Sequence, residues 1–275
     1  MVFSTSLAPG LAPGLASGIA WSFLGVLGTM AAAFIVGRLR DRYRDIDVFW
    51  PLGFVVVAVI GFLTTATQPG ADIVERSLLL VIVSVWGLRL SFHLAWRSRG
   101  EGEDPRYTAI MRRAKGSKIA YSLVVVYGLQ AALMAFISLP VTLGMHASAP
   151  SGALQIIGVL LWLLGFSFES IGDAQLEAFK RDPANCGKVM NRGLWAWTRH
   201  PNYFGDACAW WGIFLVASAG GWAVVTVLSP LLMTRLLTSV SGKPLLEARL
   251  AKTRDGYGEY VATTSAFLPR PPRKP

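Results

Sequence analysis

The sequence predicts an all-α integral membrane protein of about seven transmembrane helices, with its N-terminus outside and its C-terminus cytoplasmic. Three observations lead there. Only 15% of the 275 residues are charged while 53% are hydrophobic, whereas soluble domains are about 25% charged; the mean hydropathy is +0.48. The apolar residues come in blocks near the roughly 20 residues that a bilayer-crossing helix needs. The basic residues fall in alternate loops. This composition excludes a secreted disulfide scaffold, a disordered tail protein and an ordinary cytosolic enzyme. The net charge of +10 would point a soluble chain toward nucleic acid. No aromatic-plus-basic platform or zinc-finger spacing accompanies it, so nucleic acid is set aside as a partner, and the charge reads as basic loops facing anionic lipid.

In chain order, residues 1–16 form a short flexible leader with tandem Leu-Ala-Pro-Gly repeats from Leu7 to Gly14. No Lys or Arg precedes the first apolar run, unlike a cleaved secretory signal. Spans follow at about 17–37, 48–67, 76–96, 119–140, 152–171, 203–219 and 222–240, which together make a membrane domain over 17–240. Gly220 and Gly221 form a tight turn between the last two. Loop one carries Arg38, Arg40, Arg42 and Arg44; loop three, seven basic residues between Arg97 and Lys118; loop five, Lys180, Arg181, Lys188, Arg192 and Arg199; the tail ends in Arg270, Arg273 and Lys274. The intervening loops hold only Arg76. The positive-inside rule therefore puts loops one, three and five and the C-terminus in the cytoplasm, and an odd number of spans agrees. Cys186 and Cys208 sit too far apart in character, one in a basic loop and one in an apolar run, to be expected as anything but reduced thiols.

Charges inside spans are few (Arg89, Glu169, Asp206 and Arg235) and lie near one end, which suits a cytoplasmic cavity better than lipid. The densest polar stretch runs from Asn191 through Arg192, Trp195, Arg199, His200, Pro201, Asn202 and Tyr203 to Asp206. Pro201 fits a first helical turn, with Arg199 and His200 at its mouth, and Asn202 and Asp206 on one face. A helix N-terminus also favours a ligand phosphate. The plainer reading is a basic-aromatic interfacial anchor. Glu169, Asp173 and Glu177 recur every four residues as an acidic face, readable as a nucleotide contact, as a solvated helix end, or with His200 as a divalent metal site, although no His-Glu-x-x-His spacing exists. No Gly-x-Gly-x-x-Gly run follows a strand, so a dinucleotide would lie among helices. Loop three, from Arg99 to Tyr107, pairs its mixed charges locally, either as a lid bringing Arg106 and Tyr107 to a nucleotide or as a solvated loop. His146 lies in a polar loop on the other side.

The Gly-Leu-Trp … Arg-His-Pro-Asn-Tyr-Phe-Gly-Asp string, Gly193 to Asp206, resembles the C-terminal signature of the steroid 5-alpha-reductase superfamily, nearest its bacterial DUF1295 branch; sterol reductases and isoprenylcysteine methyltransferases share a variant of it. The resemblance implies a seven-helix enzyme of a bacterial inner membrane. It would hold NADPH in a cytoplasmic cavity and pass hydride to an activated double bond of a lipid or steroid-like substrate. It implies cofactor contacts at Arg89, Glu169, Asp173, Lys180, Trp195, Arg199, His200, Asn202, Tyr203 and Asp206. The segment 241–275 would pack on the cofactor site, with Glu247, Arg249, Tyr257 and Tyr260 contributing. The Glu and Tyr with which the steroid enzymes polarise a ketone are unmatched: the acid nearest span two is Asp47, either a buried proton donor or a helix cap, and the Tyr position reads as Trp86. An S-adenosylmethionine-dependent lipid or prenyl-cysteine methyltransferase and a non-catalytic lipid-binding protein are the alternatives.

Overall fold

The computed structural model describes residues 14–66, 68, 72–146, 152–219, 222–240 and 242–273. The leader up to residue 13, the Gly220–Gly221 turn and Lys274 lie outside them. Among the described residues every regular element is helical: α1 Leu15–Leu39, a 3-10 turn Tyr43–Asp45, α2 Ile46–Thr64, α3 Ile73–Arg97 and α4 Pro105–Met111. Then come α5 Lys118–Ser122 and α6 Leu129–Ile137, joined by the π-turn Leu123–Gly128, followed by α7 Leu139–Gly144 and α8 Gly152–Arg181. A second 3-10 turn Pro183–Asn185 leads to α9 Leu194–Trp197 and α10 Pro201–Ser218. The 3-10 turn Trp222–Val227, α11 Leu228–Arg235 and the π-turn Leu236–Val240 form the next stretch, and α12 Lys243–Thr253 and α13 Tyr257–Thr263 close the described chain.

Among the described residues six stretches are long and apolar enough to cross a bilayer: Leu15–Leu39, Tyr43–Thr64, Ile73–Arg97, Lys118–Ile137, Gly152–Arg181 and Ala223–Val240. They mark an integral membrane protein. The expected span 203–219 is indeed a helix, α10, but it is not among the six. Its polar first turns lower its hydropathy, and no residue of α10 is exposed. A helix with no outward face has no need of a lipid-compatible one.

Helix starts follow from short polar side chains. Asp72 accepts from the backbone N–H of Val74 and Glu75 at 2.6 and 3.1 Å, capping α3. Asp104 caps α4 through Arg106 N at 2.8 Å, with Pro105 in the first turn, where its missing N–H costs nothing.

The chain divides into two compact units, Met1–Gln155 with Val216–Ser229, and Ile156–Leu215 with Pro230–Pro275. In the first, α1, α2 and α3 pack in sequence; the Ser91 hydroxyl donates to Val48 O at 2.7 Å, and Gly87 lies so close to α2 that a Cβ there would sit 2.8 Å from Pro51 O. His146, expected in a polar loop, is instead buried just after α7, with Nδ1 2.9 Å from Thr142 O: the last turn of α7 folds it back over the carbonyl four residues earlier.

In the second unit α8 and α10 meet backbone to backbone. Gly158, Gly165 and Gly172 recur every seven residues on α8, as do Gly205 and Gly212 on α10. A Cβ on Gly165 would strike Gly205 O and Ala209 N; one on Gly205 would strike Glu169 N and Gly165 O; one on Gly212 would strike Trp162 N and Gly158 O. Close approach through small residues is the way membrane helices pack without a hydrophobic drive between them. That seam sets Glu169 and Asp173 against the start of α10.

Candidate functional site

The polar stretch that stands out in the sequence becomes the mouth of α10. Gly193 enters it at φ +58°, which favours glycine, and the next N–H, of Leu194, donates to Gln175 Oε1 of α8 at 3.0 Å. The Trp195 indole N–H donates to Gly172 O at 2.9 Å, and the Tyr260 hydroxyl to Trp195 O at 2.6 Å. Helix α10 then starts at Pro201, as the sequence predicts, with Phe204 N donating to His200 O at 3.0 Å.

Two acids of the predicted acidic face lie inside. Glu169 is 2% and Asp173 4% exposed, whereas Glu177 pairs with the half-exposed Lys180 at 3.4 Å. The Asn202 amide donates to Asp173 Oδ1 at 3.2 Å while its oxygen accepts from Tyr203 N at 3.1 Å. Asp206, one turn further along α10, is buried too. Ionisable groups buried within membrane helices are costly and mark function by default. Among the described residues no group of three or more His, Cys, Asp or Glu could hold a metal ion, so the acids and His200 do not assemble as ligands.

Arg199 is built into the frame. Its Nε donates to Glu247 Oε1 at 2.9 Å, and its Nη1 to Thr264 O at 2.7 Å and Val261 O at 3.1 Å. Around it the C-terminal segment is sewn to the mouth: Arg199 N donates to Ser265 O, Thr198 Oγ1 to Phe267 O and Arg270 N to Trp197 O, each at 2.9 Å, and Phe267 meets Phe204 edge-on. Burial favours the neutral form of both Glu247 and His200. For Glu247 the hydrogen bonds from Arg199 and His200 outweigh it and hold the carboxyl below its ordinary range. For His200 burial prevails over Glu247 and keeps the imidazole neutral at physiological pH. Tyr257 and Tyr260 lie 6.1 Å apart beneath this network, and burial pushes both phenols up. Arg249 is exposed on α12.

The remaining predicted residues belong to the first unit. Asp47 does not cap α2. Its carboxylate accepts from the Tyr107 hydroxyl at 2.5 Å and from Arg106 Nη2 at 2.9 Å. Pro51, in the same helix, lacks the N–H that would bond the Asp47 carbonyl. Trp86 is fully buried, edge-on to Phe54 at 5.9 Å; Arg89 lies one turn along α3. Loop three does not pair only with itself, as expected. Glu103 accepts from Tyr43 N and Arg44 N at 2.5 and 3.0 Å, Arg44 Nη1 reaches Gly102 O at 2.8 Å, and Arg42 Nη1 reaches Glu101 O at 2.8 Å. Charges in loop three thus satisfy the open N-terminus of the Tyr43 turn.

Over residues 33–264 the chain matches the model of DUF1295, a family described as proteins of unknown function. The chain belongs to the DUF1295 family. No curated protein and no solved structure matches it. Sequence reasoning missed three contributors in this DUF1295 chain: the glycine seam, whose seven-residue spacing was legible; Glu247 as a bridge across 47 residues; and Tyr107 as partner of Asp47.

Proposed function

We propose that this DUF1295 chain is an NADPH-dependent membrane reductase that transfers hydride to an activated carbon–carbon double bond of a lipid or steroid-like substrate. The observation that carries the reading is the set of nearly fully buried carboxylates, Glu169, Asp173 and Asp206, gathered with Asn202 where α8 and α10 touch through glycine. Their chemistry fits a nicotinamide nucleotide: carboxylates and an amide oxygen accept from ribose hydroxyls, the half-buried ring of Tyr203 suits a planar ligand, and the buried Tyr257 backs the network around Glu247. Lys180, paired with Glu177 at 3.4 Å, and Arg249 are exposed and within reach of phosphates in solution, while Trp195, Arg199 and Tyr260 hold the frame that orients the others.

NADPH supplies the hydride; the chain supplies orientation, from which much of a rate enhancement comes. Protonation of the second carbon is left to an acid or water at the reacting centre; Asp47, which accepts from Tyr107 and Arg106, is the candidate acid of the first unit. In this reading α10 counts as a seventh span, because a helix without an exposed residue needs no apolar face. The basic loops then lie in the cytoplasm of a bacterial inner membrane, the N-terminus outside, and the lipid arrives sideways from the bilayer.

The test is thermal stabilisation of the purified protein by NADPH against S-adenosylmethionine. A ligand at about a hundredfold excess over Kd adds roughly 2.7 kcal/mol, enough to move the melting temperature by several degrees. We expect NADPH alone to do so, Asn202→Ala to lose the effect, and the nicotinamide absorbance to fall with a lipid enone. Stabilisation by S-adenosylmethionine instead would establish the methyltransferase; stabilisation by neither, with lipid still bound, would leave a non-catalytic binder.

A further inference from the structure

His200 is 1% exposed, and its two ring nitrogens have different fates. Nε2 lies 2.9 Å from Glu247 Oε1. An ionised carboxylate only accepts, so Nε2 carries the hydrogen and Nδ1 is a bare acceptor. The ring lies flat on Tyr203, centroids 5.3 Å apart and planes 3° from parallel, which restrains it from turning over. Nδ1 is buried and finds no hydrogen-bond partner among the described residues. Buried polar atoms are almost always paired, so this one awaits a donor.

The same geometry says what kind of donor. At pH 7 a phosphate oxygen offers lone pairs and repels an unprotonated Nδ1. Arg199, next to His200 in the chain, is committed to Glu247 and to the carbonyls of Val261 and Thr264. Arg199 is thus not available to a phosphate, and the cation that remains against His200 is Lys243 of α12, which disfavours the charged imidazole.

We infer that the mouth of α10 receives an uncharged, hydrogen-donating part of the ligand, a ribose hydroxyl or a carboxamide N–H, on Nδ1 of His200, and that Glu247 is the positioning residue that fixes the accepting tautomer. The inference rests on the nicotinamide-nucleotide reading and deepens it: the atom on Nδ1 is a donor and not a phosphate oxygen.

Two substitutions divide the ring between them. His200→Gln places an amide where Nε2 was, keeping the bond to Glu247 and losing the acceptor. His200→Asn places an amide oxygen where Nδ1 was, keeping the acceptor and losing the bond. NADPH affinity, measured on the full-length protein in detergent, should fall about tenfold in His200→Gln, the cost of one unmet buried hydrogen bond, and stay within about threefold in His200→Asn. Glu247→Gln still accepts from Nε2 and should weaken NADPH less than Glu247→Ala, which should weaken it as His200→Gln does. If Glu247→Ala fails to fold, the His200 pair decides alone. Repeating the titration with the reduced 3-acetylpyridine analogue, which lacks the carboxamide N–H, separates the donors: a His200→Gln penalty that persists assigns the hydroxyl, and one that vanishes assigns the carboxamide. Equal affinity of His200→Gln and wild type, or equal losses in both His200 variants, overturns the assignment while leaving the reductase standing. Wild-type protein that does not bind NADPH overturns both.

Discussion

Two clusters in this chain hold arginines in opposite ways. Arg199 in the second unit is buried, with Nε and Nη1 bonded to one carboxylate and two main-chain carbonyls. Arg106 in the first unit is half exposed and bonded to two carboxylates, Asp47 and Asp104. Both read from the sequence as candidate nucleotide contacts. The difference teaches that an arginine beside a motif can be framework, and that burial together with carbonyl partners separates the two roles. A buried guanidinium meeting main-chain oxygens fixes the path of the backbone; a half-exposed one meeting side-chain carboxylates steadies a side chain and stays replaceable.

The largest expected effect lies in the seam beneath Arg199. Gly205→Val places side-chain atoms on Glu169 N and Gly165 O, and backbone cannot yield as a side chain does. We expect no folded protein, or a loss well beyond the roughly 1–3 kcal/mol of ordinary overpacking, read by size-exclusion and thermal melting in detergent. Gly28→Ala is the control: a Cβ there meets nothing within 4 Å, so stability should hold or rise slightly. Equal tolerance at both positions would remove the seam from the account.

Next comes Arg199 itself. Arg199→Met leaves Glu247 without its main partner and two carbonyls without donors. Breaking a buried pair from one side costs about 3–5 kcal/mol, so the melting temperature should drop sharply, with the C-terminal segment becoming sensitive to protease. A variant that melts like wild type would make Arg199 equivalent to Arg106 and erase the contrast.

Much of this frame was legible before any coordinates. The six long apolar stretches follow from the runs of apolar residues, and Pro201 marked the start of α10 because proline costs a helix nothing in its first turn. The four-residue spacing of Glu169, Asp173 and Glu177 showed an acidic face but not which of them is buried: Glu169 and Asp173 lie inside while Glu177 pairs with Lys180. What escaped was pairing across distance. Glu247 stands 47 residues from His200, and nothing local in Leu246-Glu247-Ala248 says which cation it will meet. Tyr107 reached Asp47 only because Glu103 ties its loop to Tyr43 and Arg44, a contact made by folding and by no periodicity. Helix α10 shows the converse limit. Hydropathy measures fitness for lipid, and α10, which has no exposed residue, is not described by it.

A smaller effect distinguishes the clusters by pH. Burial lowers the pKa of His200 in the folded protein, so the unfolded chain takes up a proton first as pH falls. Stability from this site is complete above the unfolded value of about 6.5 and declines as pH drops from there toward the folded value. Glu247, also depressed, adds a second loss below about 4.3, its ordinary value. Thermal melts between pH 8 and about 5 (the range where histidine alone titrates) should show the first decline, and His200→Gln should flatten it. An unchanged slope in that variant would mean that another group titrates there.

The smallest effects belong to the Arg106 cluster. Burial works against the charged form of Asp104, yet the side-chain and backbone hydrogen bonds of Arg106 hold its carboxyl below the ordinary range. That partnership is solvent-screened, since Arg106 is half exposed, and exposed pairs contribute about 0–1 kcal/mol. Arg106→Gln should therefore shift the melting temperature by no more than a few degrees, and less at high salt. Tyr107 differs from its neighbour: burial and the Asp47 carboxylate both push its phenol well above its ordinary pKa, so it stays protonated and donating across the whole physiological range. Tyr107→Phe removes that donor from Asp47 but keeps the ring. If the pair serves protonation, turnover of a lipid enone should fall at least tenfold while the melting temperature barely moves. A fall in stability with turnover intact would make Tyr107 framework, as Arg199 is, and the two clusters would then differ only in exposure.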